Sequence, residues 1–234
     1  MVQRLVSLSA SIAATLVACS SPTETRESPC AQRPERPSPS TVVEVVERVN
    51  ELPAPVTLPC FIESLARPLE LNATESLLSA QPAVGRRSPR LFIFVDPLIL
   101  SISFDGIGSR LLELGELRPD STRALKAEIE FPVIDEELPI AAPFERILFL
   151  DNLTTCGGCH DDERPAADVT FTRAFESRAL RPVPRERVSL ESLAEELASC
   201  DPAREPERCA LLDAVFGAGA VVDREFPETL ATFY

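Results

Sequence analysis

Alternation between apolar and polar residues in the middle of the chain is the sequence feature that most constrains its fold. Leu125, Ala127 and Ile129 alternate with Lys126 and Glu128, and the same period of two recurs in neighbouring segments. This period predicts strands with one buried side and one solvent-facing side, where the charged residues are expected. Proline and glycine residues separate the segments, which is typical of a small β-sandwich or barrel. The predicted strands are residues 91–95, 98–104, 111–117, 125–131 and 144–150.

Helical spacing flanks this β-rich region on both sides. Thr41 and Glu44 have the spacing of a capping box, and valines with helical period follow them. Near the other end, Ser189 can cap one helix and Pro206 suits the first turn of another. Together the patterns predict an α+β fold, a β-rich sandwich or barrel-like body followed by a small α-helical C-terminal segment. The predicted parts are a mainly β domain over 41–150 and a loop and helical segment over 151–234, with a last short helix at 227–233.

The first residues have the character of a targeting segment. A charged start precedes an apolar run over residues 5–17, which is too short to span a bilayer. Leu16-Val17-Ala18-Cys19 resembles the bacterial lipobox, and this resemblance implies a signal peptide over 1–18, cleavage before Cys19 and lipidation of its thiol. Ser20 in place of Asp implies the outer membrane, with the protein facing the periplasm or the surface. The alternative is an ordinary secretory signal with a chance cysteine. The proline-rich residues 19–40 are predicted to form a tether.

The chain is strongly acidic, with a formal net charge of −14. Nucleic acids bind basic protein surfaces, so this charge excludes nucleic acid as a partner. An acidic surface can steer a basic protein partner towards the chain, although it also serves solubility alone.

The chain has seven cysteines, and their number and spacing indicate which of them form disulfides. Export to an oxidising compartment favours disulfides among those that carry no other group. Cys200 and Cys209 lie at the end of one predicted helix and the start of the next, so they are predicted to be bridged. Cys30 and Cys60 can pair by elimination. Setting aside Cys19, which is predicted to carry lipid, leaves six cysteines. Because six is even, a bridge between Cys156 and Cys159 would also be possible.

Residues 156–160 read Cys-Gly-Gly-Cys-His, and C-x-x-C-H is the attachment signature of c-type haem. The segment resembles the motif of c-type cytochromes. The resemblance implies covalent haem c, with Cys156 and Cys159 as thioether sites and His160 as the proximal iron ligand. His160 is the only histidine and Met1 the only methionine, so neither usual second ligand is present. The iron is therefore expected to be open on its distal side. The other conceivable protein ligands are Lys126 and Tyr234.

Three functions remain open from the sequence. The first is a lipid-anchored monohaem protein that relays electrons to a redox partner or binds a small ligand at the open iron. The second is a thiol–disulfide redox lipoprotein that uses Cys156 and Cys159. The third is a non-catalytic β-domain lipoprotein that binds a partner. Asp161, Asp162 and Glu163 are expected to form a solvent-facing acidic loop, with metal binding as the alternative.

Overall fold

A computed structural model describes residue 30 and residues 37–75, 85–119, 122–135, 137–150 and 152–232 of the chain. Thr41 caps the first helix, where its hydroxyl accepts from the Glu44 amide at 3.1 Å. Ser189 caps the fourth helix in the same way, and Pro206 opens the fifth. The helices are α1 (Val42–Glu51), α2 (Leu58–Glu63), α3 (Ala142–Arg146), α4 (Leu190–Ala198) and α5 (Pro206–Leu212).

The strands form one main sheet and two small ones. Within the main sheet β11 runs parallel to β1, and the other neighbouring pairs are antiparallel. The strands are β1 (Leu69–Thr74), β2 (Arg90–Val95), β3 (Leu98–Ser103), β4 (Leu111–Leu117), β5 (Arg123–Glu130), β6 (Leu148–Leu150), β7 (Leu153–Thr154), β8 (Arg164–Pro165), β9 (Phe175–Arg178), β10 (Leu180–Arg181), β11 (Val221–Asp223) and β12 (Ala231–Thr232). The eight strands of the main sheet follow the order β11-β1-β2-β3-β4-β5-β9-β8, while β6 pairs with β7 and β10 with β12. The predicted α+β fold, with its β-rich body and its helices near the C-terminus, is confirmed.

The main sheet is covered on both faces. On the first face, Ile93 and Leu100 pair across β2 and β3 and are fully buried in a large apolar core with α1, α2 and α5. The side chains that alternate with these along each strand point to the second face. There Phe226, from the segment after β11, packs edge-on against Phe92 and Phe94, with 4.9 Å between ring centroids in both pairs. The second face is therefore also covered in part, and the candidate site residues lie on it.

Two disulfides tie the helices into the fold. Cys200 and Cys209 are bonded, with 5.7 Å between their Cα atoms, which confirms the predicted bridge. Cys30 and Cys60 are bonded too, so the pairing reached by elimination is also present. Cys60 lies in α2, against the core of the first face. Cys19 and the predicted signal peptide lie outside the described residues.

Two local predictions are corrected by the structure. The strand predicted over 144–150 begins as the helix α3, because Pro143 opens a helical turn and buries Phe144, and only Leu148–Leu150 is extended. The helix predicted over 227–233 is replaced by a turn and by β12, which pairs in parallel with β10. Among the described residues, no helix combines the length and the apolar character needed to cross a bilayer.

Candidate functional site

The Cys-Gly-Gly-Cys-His segment forms a tight turn directly after the β6–β7 hairpin. Thr154, at the end of β7, accepts a hydrogen bond at Oγ1 from the Cys156 amide, at 3.1 Å. The amides of Cys159 and His160 both donate to the Cys156 carbonyl, at 3.1 and 2.9 Å. One turn of backbone thus holds the two thiols and the imidazole close together, and all three side chains line one cavity.

Glu163 fixes this turn from the adjoining loop. Its carboxylate accepts hydrogen bonds from the Thr154 amide, at 2.9 Å, and from the Thr154 hydroxyl. The same carboxylate lies against Gly157, where an added Cβ would stand 2.8 Å from Glu163 Oε1. An added Cβ at Gly158 would meet nothing within 4 Å. A side chain at the first glycine of the motif would therefore displace the Glu163 carboxylate, whereas one at the second glycine would not.

We expect Gly157→Ala to lower the free energy of unfolding by about 1–3 kcal/mol, because it displaces a hydrogen-bonded carboxylate. Gly158→Ala should change it by less than about 1 kcal/mol, since the new methyl group meets open space. Urea denaturation of both variants measures the difference. In a Glu163→Ala background the penalty of Gly157→Ala should disappear. An equal loss in both backgrounds would show that the backbone, and not the carboxylate, excludes alanine.

The turn covers the second face of the main sheet and encloses a cavity of about 150 Å³, which we call the cleft. Its roof is the turn itself, residues 155–160, and its floor is formed by side chains of β2, β3, β4 and β5. The residues of β10 and of the segment after β11 close one end with apolar groups. The floor and end residues include Phe92, Ile99, Ser101, Gly115, Ala124, Lys126, Leu180, Pro182, Phe226 and Leu230.

His160 is held in one tautomer by a backbone carbonyl. Its Nδ1 lies 2.9 Å from the carbonyl oxygen of Arg178, at the end of β9. A carbonyl oxygen can only accept, so Nδ1 carries the proton and Nε2 keeps its lone pair. Burial, and then the positive charge of Lys126, lower the pKa of His160 to about 3. The imidazole is therefore neutral at physiological pH and offers a free nitrogen for coordination.

Both cysteines of the motif are free thiols. The cysteine count left a Cys156–Cys159 bridge open, and the structure contains the two other disulfides instead. Cys156 is partly buried beneath the turn, and burial raises the pKa of its thiol. Cys159 is exposed and also lines the cleft. Two unbridged thiols, one partly buried and one exposed, are thus present at the cleft.

Lys126 corrects the prediction of a solvent-facing side on β5. Its side chain is only 9% exposed, because the Cys-Gly-Gly-Cys-His turn covers this part of the sheet. Burial lowers the pKa of Lys126 to about 8. Cys156 and Glu163 lie close enough to oppose this lowering of the pKa. The alternating pattern separated the two faces correctly, but the second face is covered at Lys126, whereas Glu130 at the end of β5 is exposed as predicted.

Arg90, Glu113 and the Arg178 carbonyl belong to the site and were not found from the sequence. Arg90 reaches across β3, where Nε donates to Ser101 Oγ at 2.6 Å and the guanidinium forms an ion pair with Glu113. All of these lie far from the motif along the chain. Arg90 directly precedes the strand predicted over 91–95 and Glu113 lies in the strand predicted over 111–117, and no sequence pattern links the two residues.

The acidic loop after the motif faces solvent at Asp161 and Asp162, as predicted, and it is also bonded to the fold. Asp161 pairs with Arg178 at 3.2 Å, Asp162 pairs with Arg123, and Glu163 supports the turn as described above. Among the described residues, no three His, Cys, Asp or Glu side chains are grouped so as to hold a metal ion. The loop therefore positions the Cys-Gly-Gly-Cys-His turn through these bonds.

Comparisons of the chain with protein-family models, with curated proteins and with solved structures found no match. The features that bear on function are therefore the geometry of the cleft and the resemblance of residues 156–160 to the haem attachment motif.

Proposed function

We propose that the chain is a monohaem c-type protein, with haem attached through Cys156 and Cys159 and with His160 as an iron ligand. One observation carries the proposal. The Nδ1 proton of His160 is bound to the Arg178 carbonyl, which leaves Nε2 free in the same cleft that two unbridged thiols line. A hydrogen bond from the other ring nitrogen to a backbone carbonyl is what orients many histidine ligands towards metals.

The residues of the cleft fit the chemistry of haem attachment. Each thiol would add across a vinyl group, so that an S–C bond forms and the thiol hydrogen moves to the other vinyl carbon, with no leaving group. The apolar residues Phe92, Ile99 and Phe226 suit a porphyrin face, and Arg181 supplies positive charge for carboxylates. A cavity of about 150 Å³ holds roughly one aromatic ring. A porphyrin anchored here would therefore extend beyond the enclosed part of the cleft.

The N-terminal sequence supports a location for such a haem protein. The lipobox-like residues before Cys19 support export, lipidation and a place in the cell envelope at the outer membrane. Bound haem supplies a one-electron couple and an iron coordination position. The role is accordingly electron relay to a partner protein, or binding of a small ligand at iron.

Thiol–disulfide exchange has less support than haem binding. A reactive cysteine of that class has a lowered pKa, usually at a helix N-terminus or beside a cation. Burial raises the pKa of Cys156 despite the neighbouring Lys126. The turn at 155–158 is also a single turn of 3₁₀-helix, with no α-helix following it.

The test is expression of the full chain together with c-type haem maturation machinery. We expect haem that survives denaturing electrophoresis, detected by haem stain, and a protein mass increased by one haem. Cys156→Ser combined with Cys159→Ser should abolish the stain entirely, because no thioether can form.

Cys200→Ser combined with Cys209→Ser is the matched control, since it also removes two cysteines and leaves the motif intact. That variant should keep its covalent haem. Absence of covalent haem from the unmodified chain under these conditions would reject the proposed function, and a non-catalytic binding role would then be preferred.

A further inference from the structure

The enclosed part of the cleft combines an apolar wall with charged side chains. Its volume of about 150 Å³ is the space of roughly one aromatic ring, so a whole porphyrin does not fit inside it. Phe226 and Leu230 are buried and pack with Phe92 and Ile99, and all four residues line the cavity. Apolar cavities of this size in proteins bind single rings. The size and the lining therefore favour a ligand much smaller than haem.

Most of the charged side chains that line this cavity have a neighbour of opposite charge within the protein. Arg90 forms an ion pair with Glu113. Glu128 pairs at 2.8 Å with an arginine that lies outside the cavity lining. Lys126 has the carboxylate of Glu163 nearby. These groups are balanced by the protein itself, so none of them requires a ligand.

Arg181, in β10, differs from the other charged residues of the lining. Its Nε is buried and, among the described residues, has no hydrogen-bond partner. The side chain also borders a smaller hollow of about 20 Å³, but the Glu225 carboxylate there is paired with Arg187. A buried guanidinium N–H group that donates to nothing is unfavourable. A carboxylate can accept two parallel hydrogen bonds from an arginine, so it is the ligand group that would satisfy Arg181.

We propose that the cleft binds a small carboxylic acid with one aromatic ring, whose ring packs against Phe92 and Phe226 and whose carboxylate pairs with Arg181. This inference goes beyond the proposed haem function and does not depend on it. Phe226 already packs edge-on against Phe92, and a further ring can join such a cluster in the same geometry. The chain carries a net charge of −14, so its overall field repels an acid and the local guanidinium group must provide the attraction.

The experiment titrates benzoate into the full chain, produced without haem maturation machinery, and follows binding by ligand-observed nuclear magnetic resonance. Benzamide is the neutral comparison, because it has the same ring and nearly the same shape without the charge. Naphthoate is the size comparison, because it has the same charged group on a body of two fused rings. Circular dichroism reports whether each variant is folded.

Three variants locate the ligand. Arg181→Gln removes the proposed partner of the carboxylate, and Arg185→Gln is its matched control, because Arg185 is exposed and lies outside the cavity lining. Gly115→Val adds an isopropyl group to the floor of the cavity, where an added Cβ makes only ordinary contacts, the nearest at 3.8 Å. We expect saturable binding of benzoate by the unmodified chain, and binding of benzamide weaker by about tenfold or more, because the charged hydrogen bonds are lost.

Arg181→Gln should weaken benzoate binding by the same factor and leave benzamide binding unchanged, whereas Arg185→Gln should change neither. Gly115→Val should abolish the binding of both.

Lack of saturable benzoate binding would overturn the inference, and so would unchanged benzoate binding in Arg181→Gln. Equal affinities for benzoate and benzamide would overturn it as well, because the cavity would then select a neutral ring. Tighter binding of naphthoate than of benzoate would place the ligand outside the enclosed cavity and contradict the proposal. If Gly115→Val does not fold, the comparison of Arg181→Gln with Arg185→Gln still decides. Haem staining tests the proposed function separately, so either proposal can fail alone.

Discussion

Glu113→Ala is expected to lower the free energy of unfolding by about 3–5 kcal/mol, the range for breaking one side of a buried ion pair. Arg90 and Glu113 are only 12% and 22% exposed at their side chains, under the turn that forms the roof of the cleft. Removing the carboxylate leaves the guanidinium with Ser101 and with the ring of Phe92, 5.2 Å away, which are weaker partners. Chemical denaturation followed by circular dichroism measures the loss.

The matched control for this prediction is Glu207→Ala. Glu207 also pairs with an arginine, Arg110, at 3.3 Å, but both side chains are more than half exposed. Surface pairs of this kind contribute about 0–1 kcal/mol. The double variant Arg90→Leu with Glu113→Leu should recover much of the lost stability, because it leaves no unpaired charge. If Glu113→Ala costs no more than Glu207→Ala, the face of the sheet beneath the turn is open to water and the proposed cleft is not enclosed.

The strands could be predicted because their side chains obey a simple period. Alternate apolar residues of segments 91–95, 98–104, 111–117 and 125–131 line the first face of the sheet in register, as Ile93 and Leu100 do. The alternation of apolar and polar residues does not predict what covers the second face, because the covering segments are distant in the chain. Lys126 was accordingly expected in solvent, and it is buried because residues 155–160 and 226–230 return across β5 and its neighbours.

The candidate site was only partly predictable, because some of its contacts also depend on segments distant in the chain. The residues with distinctive chemistry, Cys156, Cys159 and His160, could be found from their spacing alone. The group that orients His160 is the backbone carbonyl of Arg178, and every residue has such a carbonyl. Nothing in the sequence distinguishes it, since only the path of β9 brings it within 2.9 Å of the imidazole. Glu163 could be noticed as a carboxylate near the motif, but its contact with Gly157 follows from the three-dimensional turn.

The Cys30–Cys60 disulfide has a consequence for the predicted tether over 19–40. Pro37 and Ser38 are already held to the body, where the Pro37 carbonyl accepts from Arg48 at 2.7 Å and Ser38 Oγ accepts from the Ala66 amide at 2.7 Å. The bridge fixes Cys30 to α2 on the first face of the sheet, away from the cleft. Eleven positions then separate Cys19 from a fixed point, a span of at most about 40 Å for extended chain.

Replacing both Cys30 and Cys60 by serine is expected to lower the free energy of unfolding by about 3.7 kcal/mol, because the bridge closes a long loop in the unfolded chain. The sequence separation is 30 residues for this bridge and 9 for Cys200–Cys209, whose removal should cost less, about 2.7 kcal/mol. Denaturation of the two double variants side by side, with the unmodified chain as reference, measures both values. The order of the two losses is the informative result, because it follows from loop length alone. A larger loss on removing Cys200–Cys209 would mean that the bridge between α4 and α5 stabilises the native packing directly, and that Cys30–Cys60 chiefly restrains the tether.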